Sequence, residues 1–189
     1  MCCNSRITDS LVRRRISGDI LMNDNDRKVM FSHKSDEYRT PKKLYDLLNS
    51  EFHFDIDAAC TIDNCLCNFG LAVEIQDSLQ MDWCNLFDFK KMPTIFLNPP
   101  YSKIKAFLMK SYIESCKGCT VVCLIPVRSD TGYWHDFVMR AAEIRFIKGR
   151  VKYELPDVDY VKNSAPFPSC IVVFRNHYGT VEVSSMVIK

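Results

Sequence analysis

From residue 36 onward the apolar and polar positions fall into two alternating patterns. In "RTPKKLYDLLNSEF", Leu44, Leu47 and Leu48 recur at the spacing of one helical face. Thr40 suits the N-cap of that helix and Pro41 its first position. "FHFDIDAA" predicts a short strand ending at Asp57, and Leu71 to Ile75 a weaker one. "PTIFLN" is an unbroken apolar run, the pattern of a strand buried on both faces. Ile104, Phe107, Leu108 and Tyr112 predict a second helix, capped by Ser102 and ended by Gly118. "TVVCLIPV" is a second strong strand. Trp134, Phe137, Val138 and Ala141 then fall at i, i+3, i+4 and i+7, which predicts a third helix. "EIRFIKG" and "SCIVVFRN" predict two more strands, separated by a polar loop from Tyr153 to Ser164.

Strands alternating with helices predict an α/β layer fold with a largely parallel sheet and helices on both faces. No helix separates the last two strands, so they are expected to pair antiparallel at one edge. Residues 1–35 carry no sustained periodicity and read as a flexible N-terminal arm, with one short helix near Leu11 to Ile20. Residues 36–189 read as a single domain. Ligands of open α/β sheets bind beyond the carboxyl ends of the strands. That places the chemistry at Asp57 and after Leu97.

Composition adds limits. The 189 residues are 47% hydrophobic and 25% charged, which suits one globular domain. No apolar run approaches the roughly 18 residues needed to span a bilayer. The first residues lack the apolar core of a secretion signal, so the expected setting is soluble and cytoplasmic. Ten cysteines in a chain with a full-sized core predict reduced thiols. "CKGC", Cys116 to Cys119, has a metal-knuckle spacing but no second pair to complete it, and no metal is expected.

The net charge of +2 hides a split. Residues 40–100 carry four Lys/Arg and nine Asp/Glu, a balance of −5. Residues 101–152 carry ten Lys/Arg and four Asp/Glu, a balance of +6. The acidic half suits a small ligand held by carboxylates, and the basic half suits phosphates.

The most specific signal is Asn98-Pro99-Pro100-Tyr101 at the end of the strongest strand. A residue before proline is held extended, and neither proline has an N–H. The result is a stiff turn with two free acceptors, the Asn98 side-chain oxygen and the Pro99 carbonyl. Two acceptors aimed at one point suit an exocyclic amine on a planar ring, against which Tyr101 can lie flat. Holding both amine hydrogens turns the nitrogen lone pair out of conjugation and makes it a better nucleophile. A chance turn Asn with a surface Tyr is the plainer reading of the four residues.

These four residues match the signature of amino-methyltransferases that act on adenine N6 or cytosine N4. "YRTPKKLYDLLNSEF", "DIDAAC", "QDSLQMDW", "LNPPYS", "LIPVRSDTGYWHDFV", "IRFIKGRVKY" and "APFPSCIVVF" follow in the order of the phage-type DNA N6-adenine methyltransferases (Dam-like). The resemblance covers about residues 36–175. It implies a Rossmann-like class I methyltransferase fold, S-adenosylmethionine as cofactor, and a flipped adenine in double-stranded DNA as substrate. A phage or prophage origin follows from the same likeness.

The resemblance also implies roles. Asn98, Pro99, Pro100 and Tyr101 are catalytic. Thr40, Pro41, Asp57, Ala58, Asp77, Asp82 and Trp83 contact the cofactor. Ser102, Arg128, Lys148 and Arg150 meet DNA. The departures are Ala-Ala-Cys in place of a Gly-rich loop after Asp57, Ser78 for a usual glycine, and Asn98 where many adenine enzymes have aspartate. Plainer roles stand beside these: Asp57 as a strand-end cap, Thr40 as an N-cap, Asp82 in a turn, Trp83 and Trp134 in the core. An N4-cytosine or RNA amine methyltransferase, or an inactive DNA-binding module, are the alternative functions.

Overall fold

The computed structural model describes residues 38–72, 74–86, 91–154, 165–177 and 179–188. They belong to one compact unit, Lys34–Lys189. The expected arm and its short helix lie outside the described residues.

The first helix, α1 (Lys42–Phe52), begins after Pro41, whose extended backbone makes it the N-cap. Thr40 is therefore not the cap, and its hydroxyl is used elsewhere. Leu44, Tyr45 and Leu48 form the buried face, while Leu47 is 43% exposed. The expected leucine stripe is thus rotated to bring in Tyr45. His53 adopts a left-handed φ of 54° and ends the helix.

Strands β1 (Ile56–Cys60), β2 (Phe69–Ala72), β3 (Thr94–Leu97) and β4 (Thr120–Pro126) follow, with α2 (Ile104–Cys116) between the last two. Then come α3 (Gly132–Asp136), β5 (Glu143–Ile147), β6 (Ser169–Phe174) and β7 (Glu182–Met186). Among the described residues the sheet has seven strands in the order β2-β1-β3-β4-β6-β5-β7. β1, β2, β3 and β4 pair parallel, and β6 runs antiparallel to both β4 and β5.

The antiparallel strand is present as expected, but its place is corrected. β6 lies inside the sheet and not at the edge, because β5 and then β7 add beyond it. β7 escaped the sequence reading because its side chains are mostly exposed and polar, so no apolar run marks it.

Both faces of the central strands are buried. Ile95 and Leu97 of β3 pack with Val121, Cys123 and Ile125 of β4 under Ile104, Phe107, Leu108 and Trp134. Phe96, Val122 and Leu124 face the other way, against Leu44, Tyr45 and Leu48 of α1. Helices thus cover both faces, which is why these strands read as continuous apolar runs. The expected third helix is shorter than its pattern. α3 ends at Asp136, and Val138–Arg140 forms a 3-10 turn that still buries Val138.

Candidate active site

Asn98 stands one residue past β3, at the carboxyl end of the strand. Its Nδ2 donates to the Tyr38 carbonyl at 2.5 Å and to the Thr40 hydroxyl at 3.0 Å. A carbonyl only accepts, so the atom facing it must carry hydrogen. This sets the sense of the amide: Nδ2 turns to the Tyr38–Thr40 segment and Oδ1 turns away. Asn98 lines a cavity of about 450 Å³ together with Arg39, Thr40, Asp57, Thr61, Pro100 and Glu154. That size falls within the range of small-molecule sites.

Asp57 lines the same cavity. It lies in β1 rather than at its end, one residue after Ile56, and is only 3% exposed. Its carboxylate accepts from Leu66 N at 3.2 Å and, weakly, from Ala59 N at 3.4 Å. Burial pushes its pKa up to about 6, and the two amides pull the other way. Among the described residues it has no ion-pair partner. Arg39 Nε and Thr61 Oγ1, both on the cavity wall, are buried without a hydrogen-bond partner. Sequence reasoning did not single out either residue. Each adjoins a motif residue, but neither periodicity nor spacing marks it.

Tyr101 opens a 3-10 turn, Tyr101–Lys103. Its ring lies flat against Tyr38, with centroids 5.2 Å apart and planes 20° apart, and edge-on to Phe167 at 5.5 Å. The hydroxyl sits close to that of Tyr153 without a well-aligned hydrogen bond, and burial holds its pKa well above the usual value. The expected free aromatic face is already occupied, by a tyrosine from outside the motif.

A family model described as DNA N-6-adenine-methyltransferase (Dam) matches residues 28–189. The chain belongs to that family. A DNA N-6-adenine-methyltransferase of Escherichia phage T1 is 24% identical over 129 residues, covering 68% of this chain and 51% of that one. The chain therefore spans about half the length of the curated relative it matches. The α/β architecture expected from the family likeness is the one observed.

Within this Dam-family fold the remaining expected cofactor residues are dispersed. Thr40 and Asp57 line the cavity, whereas Pro41, Ala58, Asp77, Asp82 and Trp83 do not. Trp83 is fully buried and donates through Nε1 to the Ser78 carbonyl at 2.8 Å. Ser78 in turn donates to the Ala58 carbonyl at 2.5 Å, tying β1 to the turn after β2. Asp77 caps the 3-10 turn Ser78–Gln80 by accepting from Leu79 N. Asp82 is exposed and pairs with Lys117 at 3.1 Å.

The residues expected to meet DNA sit differently. β3, β4 and β5 run in one direction, since β4 and β5 both oppose β6. Arg128 follows β4, and Lys148 and Arg150 follow β5, so all three share the sheet edge on which Asn98 stands. Lys148 and Arg150 are exposed. Ser102 lies in the turn before α2, whose N-cap is Lys103 with no side-chain bond, so Ser102 is not the helix cap.

Six of the described cysteines are free thiols, as expected, and one pair departs from that expectation. Cys84 and Cys119 are disulfide-bonded, their Cα atoms 5.9 Å apart across 35 residues of sequence. Spacing could not have paired them, because α2 and the start of β4 bring them together. Cys116, the other half of the CKGC motif, points to solvent. Cys60 and Cys65 lie over Gly70, where a Cβ would come within 2.7 Å and 2.2 Å of their sulfurs, so the close approach needs glycine. Among the described residues no helix is long and apolar enough to cross a membrane.

Proposed function

We propose that this protein transfers a methyl group to the N6 amine of an adenine in double-stranded DNA, with S-adenosylmethionine as the donor. The observation that carries this reading is the Asn98 amide, with its Nδ2 tied back into the protein and its oxygen left for an amine beside a small-molecule cavity. Asp57 fits the cofactor's ammonium group, because it is a buried carboxylate without a cation. Arg39 Nε and Thr61 Oγ1 fit its carboxylate, being buried donors without acceptors. S-adenosylmethionine supplies the methyl group when bound.

Asn98 Oδ1 and the Pro99 carbonyl hold the two amine hydrogens and draw the lone pair out of the ring. The N–C bond would form as the donor's S–CH3 bond breaks to leave a neutral thioether, the methylated amine would lose one N–H proton to water, and positioning supplies most of the rate. A base inside a duplex is out of reach and must be flipped out. The stacked pair of Tyr38 and Tyr101 forms the aromatic wall against which it lies. Arg128, Lys148 and Arg150, on the same sheet edge, hold the backbone.

The test is mass spectrometry of nucleosides from duplex DNA and from RNA treated with the protein and cofactor. N6-methyladenine from DNA is the expected product. N4-methylcytosine, or methylated RNA with unmodified DNA, would replace this reading. Asn98→Ala should lower turnover by at least about 100-fold, as loss of a transition-state acceptor does, while calorimetry finds cofactor binding retained.

A further inference from the structure

We propose that the Tyr38–Thr40 segment is a positioning strap that fixes which end of the Asn98 amide faces the substrate, and so makes asparagine rather than aspartate the working residue at position 98. The proposal rests on the methyl-transfer reading above. Asn98 Nδ2 meets two acceptors on the strap, the Tyr38 carbonyl at 2.5 Å and the Thr40 hydroxyl at 3.0 Å. The first can never donate. A rotated amide would set oxygen against oxygen, so a single orientation is allowed.

The strap cannot easily withdraw. The Tyr38 ring stacks on Tyr101 and packs edge-on against Tyr153 at 5.3 Å and Phe167 at 5.4 Å. Arg39 exchanges two backbone hydrogen bonds with Glu154, at 2.9 and 3.0 Å. The Pro41 carbonyl accepts from Leu44 N and Tyr45 N, so the next residue is locked into the start of α1. The Tyr38 oxygen is therefore a fixed acceptor, supported on both sides.

A carboxylate at position 98 would place a charged oxygen against that carbonyl with no proton between them. Only the protonated acid reproduces the native pattern, its O–H donating to Tyr38 and its carbonyl oxygen facing the amine. Thr40 thus acts through Asn98, whereas a role at the cofactor would make it a direct contact. The two assignments separate in measurements on the full chain.

Thr40→Val should slow single-turnover methylation about fivefold, as loss of one hydrogen bond does, with cofactor affinity by calorimetry unchanged. Thr40→Ser should restore the rate. Asn98→Asp should be nearly inactive at neutral pH and, at saturating cofactor and relative to the unaltered protein, gain about tenfold in rate for each pH unit lowered, following the protonated fraction; the ratio cancels the titration of Asp57 on the same cavity, which both proteins share. A weakened cofactor affinity with an unchanged saturating rate in Thr40→Val would overturn the positioning role. So would a pH-independent, near-normal rate in Asn98→Asp. If the unaltered protein methylates neither DNA nor RNA, the reading of the site has failed, and thermal melting still decides the strap. Asn98→Asp should then lose stability relative to the unaltered protein as pH rises, and a constant difference across pH would overturn the strap.

Discussion

Asp57 and Glu114 are both buried carboxylates, yet the fold treats them in opposite ways. Glu114, on α2, has a fully buried side chain whose Oε1 meets Lys110 at 2.6 Å and Lys117 at 3.0 Å. Its other oxygen accepts from Cys84 N at 3.3 Å. Asp57 meets only backbone amides, faces a cavity, and has its pKa raised to about 6 by burial. A buried charge without a counter-charge is costly. Glu114 meets that cost inside the fold, and in the proposed reading the cofactor's ammonium group supplies the partner that Asp57 lacks. Counting acids along the sequence placed both in charge balances and could not tell them apart.

Replacing each acid by its amide should widen the contrast. Glu114→Gln leaves two lysines without their counter-charge and should cost about 3 kcal/mol in chemical denaturation, the low end for breaking a buried pair. Both lysines keep some water, which is why the low end applies. A cost below about 1 kcal/mol would place Glu114 with the solvent-screened pairs.

Asp57→Asn should act on ligand binding instead. Cofactor affinity should fall about tenfold at neutral pH, the worth of one charge-assisted hydrogen bond. The sign of its pH dependence follows from a folded pKa raised from 3.8 to about 6. The native state binds the proton more tightly than the unfolded chain, so this group's contribution to stability is full below about pH 4 and is lost as pH rises through about 6. Cofactor affinity should run the other way and strengthen as pH rises through about 6, because the ammonium needs the ionised acid. Calorimetry from pH 5 to 8 should find both dependences flattened in Asp57→Asn.

Lys117→Met should give the smallest effect. Lys110 still holds Glu114, and the contact of Lys117 with Asp82 is exposed, so the expected loss is about 0.5 kcal/mol. A loss equal to that of Glu114→Gln would show that Lys117 alone balances the buried charge.

The candidate site was partly legible in the sequence. Asn98 and Asp57 stood out because each is a polar residue attached to a strong apolar strand, and the fold places both on one cavity. Trp83 and Asp82 adjoin each other in sequence, yet one is core and the other surface, because the indole found its partner on Ser78. Arg39 and Thr61 carried no signal. What marks them is that burial left Arg39 Nε and Thr61 Oγ1 without partners, which only packing can reveal.

The sequence by itself determined the α/β class, the strands β3, β4 and β6, and the position of Asn-Pro-Pro-Tyr past β3. These depend on local apolar runs and on the restricted backbone of proline, which act over a few residues. Only the tertiary structure decided that β6 lies inside the sheet, that β7 extends it, that Tyr38 covers Tyr101, and that the Asn98 amide faces one way. Each of these joins residues far apart in the chain: Tyr38 is 60 residues from Asn98. Hydrogen-bond direction and ring stacking are set by what the fold brings together, and no spacing along the chain encodes them.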